Sequence, residues 1–274
     1  MVIIINRYGQ YSNRLIQNMR IRTFCRKNKI RCLNLDMAGM EQYFNIPKTP
    51  FLLVFLGKVL RRIIRYMNKF GLDPVLHLVY PYREEYAARV NRCGIHLVDE
   101  WGLYDVEEEE KSIEENRKCY RLKPQFYQGN HLYEQMQKWR EEGYFLVGVH
   151  IRRGDYKEWF DGKFYYEDPI YEKWIGQVSE LYHNMNLKFI IFSSDQCSIA
   201  GSNIVISHNS WYVDQLLLGM TDISFGPPST FRRWASYIYG NKTCDMVSPN
   251  MKFDKQTLFE PFCSWKRLKD FYEE

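Results

Sequence analysis

The sequence has few of the features that mark secreted, membrane-spanning or repetitive proteins. Its seven cysteines, Cys25, Cys32, Cys93, Cys119, Cys197, Cys244 and Cys263, are dispersed, odd in number and without a Cys-x-x-Cys pair. Such usage does not read as a disulfide framework and fits a reduced cytosol. The apolar opening Val2 to Ile5 runs straight into polar residues, with neither the basic flank nor the long apolar stretch of a signal peptide or membrane anchor. The expectation is a cytoplasmic protein that begins at its own first strand. There is no internal repeat and no low-complexity segment. The basic residues form no aromatic-interleaved stripe, which argues against a nucleic-acid partner.

What is present is the material of a large core. Of 274 residues, 45% are hydrophobic and 16% aromatic, which suits one large α/β unit or, as expected here, two compact halves. Lys and Arg outnumber Asp and Glu by 38 to 33, a formal net charge of +5. An excess this small is ordinary surface charge, compatible also with a phosphate-bearing substrate or a membrane surface.

Val2 to Asn6 reads as a buried strand, Ser12 as a helix cap, and Leu15, Ile16, Met19 and Phe24 as the apolar face of the helix that follows. The run Arg31 to Leu35 completes a β-α-β unit, whose ligands bind beyond the carboxyl ends of the strands. The loop from Tyr8 to Asn13 lies at that edge. Phe51 to Phe70 mixes an apolar stretch with Lys58, Arg61, Arg62 and Arg65, giving a basic amphipathic helix too charged to span a bilayer. It reads either as a core-packing helix with a solvated basic face or as a peripheral anchor on anionic lipid. Glu107 to Lys118 holds six glutamates and reads as a solvated helix or loop.

A helix from His131 to Glu142 precedes a new series of strands, so the domain boundary is expected at about 125 to 145. The second half alternates: strand Leu146 to Ile151, helix Pro169 to Met185, strands Lys188 to Ser193 and Ile204 to Ser207, helix Val213 to Met220, strand Ile223 to Phe225, helix Phe231 to Tyr239. This is the pattern of a doubly wound sheet. Asp168-Pro169 reads as an N-cap followed by proline in the first turn.

The most informative segment is Gly148-Val149-His150-Ile151-Arg152-Arg153-Gly154-Asp155-Tyr156, where a buried strand ends in a burst of charge. Adjacent arginines leave a strand on opposite sides, so one can clamp a phosphate while the other pairs with a carboxylate such as Asp155. Gly154 permits the turn between them. The competing reading is a purely structural ion-pair corner.

His150-Ile151-Arg152-Arg153-Gly154-Asp155 resembles the His-x-Arg-Arg-x-Asp motif of the α-1,2- and α-1,6-fucosyltransferases, which are related to the protein O-fucosyltransferases. The resemblance implies that Arg152 contacts the donor's β-phosphate and that His150, Arg153 and Asp155 help shape the same site. Further blocks follow in the family's order. Asp214-Gln215-Leu216-Leu217-Leu218, then Ser229-Thr230-Phe231-Arg232-Arg233-Trp234-Ala235, is similar to the family's Asp, hydrophobic helix, Ser-Thr-Phe and Trp-Ala. Ser229 and Thr230 stand at a helix start, where free N–H groups and the helix dipole favour phosphate; taken alone they are an N-cap. Ser193-Ser194-Asp195 resembles the family's Ser-Asp pair, with Asp195 near guanine or ribose. Gly9-Gln10-Tyr11-Ser12-Asn13-Arg14-Leu15 is similar to the family's Gly-Arg-Leu-Gly-Asn-Gln block, which implies that Asn13 faces acceptor and transferring sugar. Ser12, Arg14, Gln196, Arg233, Thr221 and Ile223 depart from the family's pattern.

The resemblance implies an α/β fold of GT-B type, two Rossmann-like doubly wound domains facing a cleft. Residues 1–135 are expected on the acceptor side and 136–274 around the nucleotide-sugar donor, with a terminal helix packing back on the first domain. It implies inverting transfer of fucose from GDP-fucose to a hydroxyl of a glycan. The site residues implied are Arg152, Asn13 and Asp155 for catalysis and His150, Arg152, Arg153, Asp195, Asp214, Ser229, Thr230 and Phe231 for the donor. None of the thirteen aspartates are spaced two apart, so the Asp-x-Asp metal holder of other glycosyltransferases is lacking and neither metal nor cofactor is expected. The alternatives are a relative using another nucleotide-sugar and a non-catalytic nucleotide- or carbohydrate-binding module.

Overall fold

A computed structural model describes residues 1–5, 9–72, 74–77, 90, 94–99, 105–254 and 259–262. Asn6, Tyr8, Cys93, Cys263 and the expected terminal helix lie outside the described residues. The described chain forms two compact units that divide between Tyr120 and Arg121, ahead of the range read from the sequence.

The first unit is built on a four-stranded sheet of β1 (Val2–Ile4), β2 (Cys32–Asn34), β3 (Val75–His77) and β4 (His96–Asp99), in the order β2-β1-β4-β3 and parallel throughout. Alternation along β1 and the residue after it decides the layers. Val2 and Ile4 pack with Ile21, Phe24 and Cys25 of α1 (Tyr11–Lys27). Ile3 and Ile5 point the other way, toward Ile64 of α2 (Phe51–Asn68). The sheet therefore carries a helix on each face.

α1 is buried around most of its circumference, polar residues included, so its side chains must find partners. Arg20 Nε meets Glu109 Oε1 at 2.8 Å, Asn18 Nδ2 donates to the Tyr120 hydroxyl at 2.6 Å, and Arg26 pairs with Glu115. These acceptors belong to α3 (Val106–Lys111) and α4 (Ile113–Tyr120). The acidic run is thus not simply solvated: Glu109 is buried because Arg20 needs it. Ser12 is not the cap of α1 either. Gln10 holds that position without a side-chain bond, and Ser12 is buried as the second residue of the helix.

α2 also differs from its core-packing reading. It seats Leu53, Gly57, Leu60 and Ile64 on the sheet side, while most of its other apolar residues face outward.

The second unit is a six-stranded sheet of β5 (Phe145–Ile151), β6 (Leu187–Ser193), β7 (Ile204–Ser207), β8 (Ile223–Gly226), β9 (Lys242–Asp245) and β10 (Glu260–Pro261). The order is β10-β9-β8-β5-β6-β7, with β10 alone antiparallel. Val147, Val149, Ile151, Phe189, Ile191 and Phe225 fill one face against Tyr171, Trp174 and Val178 of α6 (Asp168–Leu181). The helix α5 (His131–Glu141), capped by the Asn130 side chain accepting from Tyr133 N, belongs to this unit. α7 (Trp211–Gly219) and α8 (Thr230–Tyr239) follow β7 and β8, and Gly240 ends α8 at φ 85° in the left-handed conformation that favours glycine. Asp168 opens α6 rather than capping it: Glu167 is the N-cap, and the Asp168 carboxylate serves Arg153 and Ser198 instead.

From β5 the chain winds outward through β6 and β7, then returns to the other side of β5 as β8. The gap between the carboxyl ends of β5 and β8 is therefore the topological switch point, where open α/β sheets bind ligands. In the first unit β1 winds to β2, and β4 returns beside β1. Its switch point lies where β1 leads toward Gly9 and Asn13.

Candidate functional site

The segment after β5 separates its two arginines as strand geometry requires. Arg152 stays partly open, its side chain 19% exposed, with Nη2 2.7 Å from Asp155 Oδ1 and the guanidinium 5.5 Å from the centre of the Tyr156 ring. Arg153 turns the other way and is consumed by the protein. It donates to the Gln196 carbonyl at 2.9 Å, to the Tyr166 carbonyl at 3.4 Å and to Asp168. Asp168 also accepts from Ser198 N at 2.8 Å and Ser198 Oγ at 2.6 Å. Burial raises the Asp168 pKa, but these hydrogen bonds outweigh it and hold the carboxyl below its ordinary 3.8. Of the two arginines expected at the donor, Arg152 is open and Arg153 is a structural tie between the loops after β5 and β6. The carboxylate Asp155 falls to Arg152 itself.

Gly154 takes the turn at φ +47°. Beyond it, the Tyr156 hydroxyl donates to the Pro228 carbonyl at 2.5 Å and so ties the loop after β5 to the loop after β8. A second tie is the stack of His150 on Phe231, 5.3 Å between centroids at 17°. His150 is buried with Nδ1 unpartnered, and burial, then the positive charges of Arg232 and Arg152, hold its pKa well below 6.5. It is a neutral imidazole at physiological pH.

Ser229 is the N-cap of α8, its Oγ accepting from Phe231 N at 3.2 Å. Thr230 and Phe231 open the helix, so the start of α8 lies beside the end of β5 at the switch point. Directly beneath are Arg232 and Arg233, which sequence reading did not place in the site. Arg232 is fully buried and bonds the Gly226 and Pro227 carbonyls at 3.1 and 3.2 Å, together with Thr243 and Asp245. Arg233 Nε reaches the other Asp245 oxygen at 3.0 Å. Asp245 is largely shielded from water, which raises its pKa, yet the two guanidinium groups bring it below 3.8. Asp245 thus receives both guanidinium groups beneath the first turn of α8.

The remaining expected donor residues sit along the same edge. Asp195 follows β6 and is exposed, its backbone N–H donating to Ser193 Oγ at 3.1 Å. Asp214, in the first turn of α7, is buried and accepts from Ser207 Oγ at 2.5 Å; burial pushes its pKa up to about 6 despite that bond.

In the first unit, Gly9 has φ +60°, and a Cβ there would lie 2.4 Å from Asn13 Nδ2. Asn13 Oδ1 is buried without a partner, and so are both amide atoms of Gln17, one turn further along the same face of α1. Gln17 was not anticipated from the sequence. Arg14, a departure from the family's pattern, is a structural residue whose Nε meets Asp36 Oδ2 at 2.9 Å. Among the described residues no group of three His, Cys, Asp or Glu side chains is placed to hold a metal ion.

No protein-family model matches the sequence, and no curated protein matches it. Among solved structures, the fold is similar to that of the fucosyltransferase NodZ from Bradyrhizobium, with a TM-score of 0.55 at 13% identity over 95% of this chain and 99% of that one. POFUT1 in its apo form gives 0.49 at 9% identity over 88% and 94% of the two chains. Its complex with GDP-fucose gives 0.48 at 9% over 90% and 96%. The chain is an α/β protein of parallel sheets with a fucosyltransferase-like fold.

Proposed function

We propose that the protein is a metal-independent, inverting glycosyltransferase of GT-B type that moves fucose from GDP-fucose to a hydroxyl of a glycan, an α-1,2-fucosyltransferase-like enzyme of surface polysaccharide synthesis working in the cytoplasm. One observation supports the reading: the part-open Arg152 follows β5 at the switch point between β5 and β8, between His150, which stacks on Phe231 in the first turn of α8, and Tyr156, which bonds Pro228 just ahead of that helix. As GDP leaves, its diphosphate gains negative charge, and preformed cations and N–H groups stabilise that charge without reorganising. Arg152 would take the β-phosphate, with Ser229, Thr230 and the α8 amides on the same anion.

Asp155 is assigned the role of holding Arg152 in place until phosphate arrives, and His150 and Phe231 form the stacked floor. Asp195 and Asp214 would receive guanine or ribose, Asp195 as an exposed acceptor and Asp214 through its loop. Asn13, in the first unit, would receive the transferring sugar and acceptor hydroxyl, a role that suits its unpaired Oδ1.

The test is release of GDP from GDP-fucose by the full chain against a panel of glycans, without added metal and with chelator. Arg152→Ala should lower turnover by about a hundredfold to a thousandfold while leaving the unfolding midpoint nearly unchanged. Turnover near the wild-type rate in that variant removes Arg152 from the site. Turnover only with another GDP-sugar moves the chain to a different donor, and GDP-fucose binding without turnover makes it a binding module.

A further inference from the structure

We propose that the outward face of α2 is a docking surface for an anionic phospholipid bilayer, on which the helix lies in the plane of the headgroups. The inner face of α2 is fully committed. Leu53, Leu60 and Ile64 pack on Ile3, Ile5 and Leu35, and Gly57 lets the helix approach so closely that a Cβ there would lie 2.6 Å from Leu35 Cδ1. Arg61 donates from Nε to the Ile5 carbonyl. A helix fixed this firmly on one side normally shows a polar face to water. This one does not. Leu52, Phe55, Leu56, Ile63, Tyr66 and Phe70 are all exposed, Leu52 by 66% and Phe70 by 65%. Within the helix, Leu52 to Tyr66 covers about four helical turns, and spacings of three and four place most of these residues on one outward stripe, a contiguous apolar area of the kind that marks an interaction site.

The charge beside that stripe identifies what it fits. Lys58, Arg62, Arg65 and Lys69 are exposed and spaced four, three and four apart, so they form a parallel row along one flank of the apolar stripe. No Asp or Glu occurs between Phe51 and Leu72. An apolar arc flanked by cations alone complements a surface that is apolar inside and negative outside: acyl chains beneath anionic headgroups. The long lysine and arginine stems reach outward to phosphate while the leucines and phenylalanines enter the boundary. A second copy is a poor match, because pairing α2 with its own image sets two like-charged rows against each other. No helix among the described residues is long and apolar enough to cross a membrane, so the contact is lateral.

The experiment is flotation of the full-length chain with vesicles of phosphatidylcholine, with and without phosphatidylglycerol. Binding is expected only to the phosphatidylglycerol vesicles in low salt and should fade as salt is raised. Reversing Lys58, Arg62 and Arg65 to glutamate should lower partitioning on the order of a hundredfold. Leu56→Asp should lower it by at least about tenfold, and the milder Arg62→Gln/Arg65→Gln pair, at exposed positions, covers the case of a misfolded variant. Circular dichroism and GDP affinity should stay as in the wild type. The proposal is overturned if the wild-type chain stays with the soluble fraction in low salt. It is also overturned if charge reversal leaves binding unchanged, or if sedimentation velocity shows a dimer that Leu56→Asp dissolves. The readout is lipid binding, so loss of the fucosyltransferase reading would leave it standing.

Discussion

Arg152-Arg153 and Arg232-Arg233 lie in the same unit, at the adjoining junctions after β5 and β8, and the fold treats the two pairs differently. After a strand, neighbouring side chains diverge, so Arg153 is absorbed by Asp168 and two carbonyls while Arg152 keeps one exposed carboxylate and open space. In α8 both arginines turn inward and converge on Asp245, whose strand β9 pairs with β8 so that Gly226 opposes Asp245. What distinguishes a ligand-ready arginine is therefore the number of acceptors the protein itself supplies, and burial follows from that number.

The comparison is broken most forcefully at Asp245. Asp245→Asn leaves two buried guanidinium groups without their counter-charge and should cost about 3–5 kcal/mol, read by urea unfolding; a cost under about 1 kcal/mol would mean that the second pair is not locked. Arg153→Ala should cost about 2–3 kcal/mol by leaving Asp168 with its Ser198 bonds alone and depriving two carbonyls of their donor, and Arg153→Lys should recover only part of it, because an ammonium cannot span the three acceptors. The same measurement on Arg152→Ala should move by no more than about 1 kcal/mol. Equal losses at both positions would erase the distinction.

The charges surrounding the junction also set a pH dependence. The unfolded chain protonates His150 below its ordinary 6.5, whereas the folded chain does not until well below that value. Its contribution is therefore fully present above pH 6.5 and is lost as pH falls, at up to about 1.4 kcal/mol per pH unit. Asp214 acts in the opposite direction below about 6, where the folded state keeps a proton that the unfolded state releases down to 3.8. Thermal unfolding of His150→Gln against wild type should thus differ in slope just below pH 6.5 and converge above it. The smallest effect belongs to Asp155→Asn. Freed of its exposed partner, Arg152 should bind GDP within about fivefold of the wild type, toward tighter binding; loss of binding would give Asp155 a direct role in the site.

Much of this was legible from the sequence. Periodicity and end signals located nearly every element of the second unit, because β5, β6 and β8 are apolar runs bounded by glycine, proline or charge. The burst of charge after β5 announced the switch point, and Ser229 announced the start of α8. What escaped were the choices among partners. Nothing local tells Arg153 from Arg152, since the deciding acceptors Asp168 and Gln196 come from distant loops. Asp245 stands twelve or more residues from both arginines and meets them only through the β8–β9 pairing. The acidic run at 107–118 looked solvated because its counter-charges, Arg20 and Arg26, lie on α1, and the composition of α2 left a core-packing helix and a lipid anchor both open.

Gly226 closes β8 at φ +154°, where any side chain would meet the His150 carbonyl at 2.2 Å. This one position thereby sets how near the two walls of the switch point approach. Sequence drift around the junction must proceed with that residue frozen, so engineering a wider cleft has to start by lengthening the flanking loops.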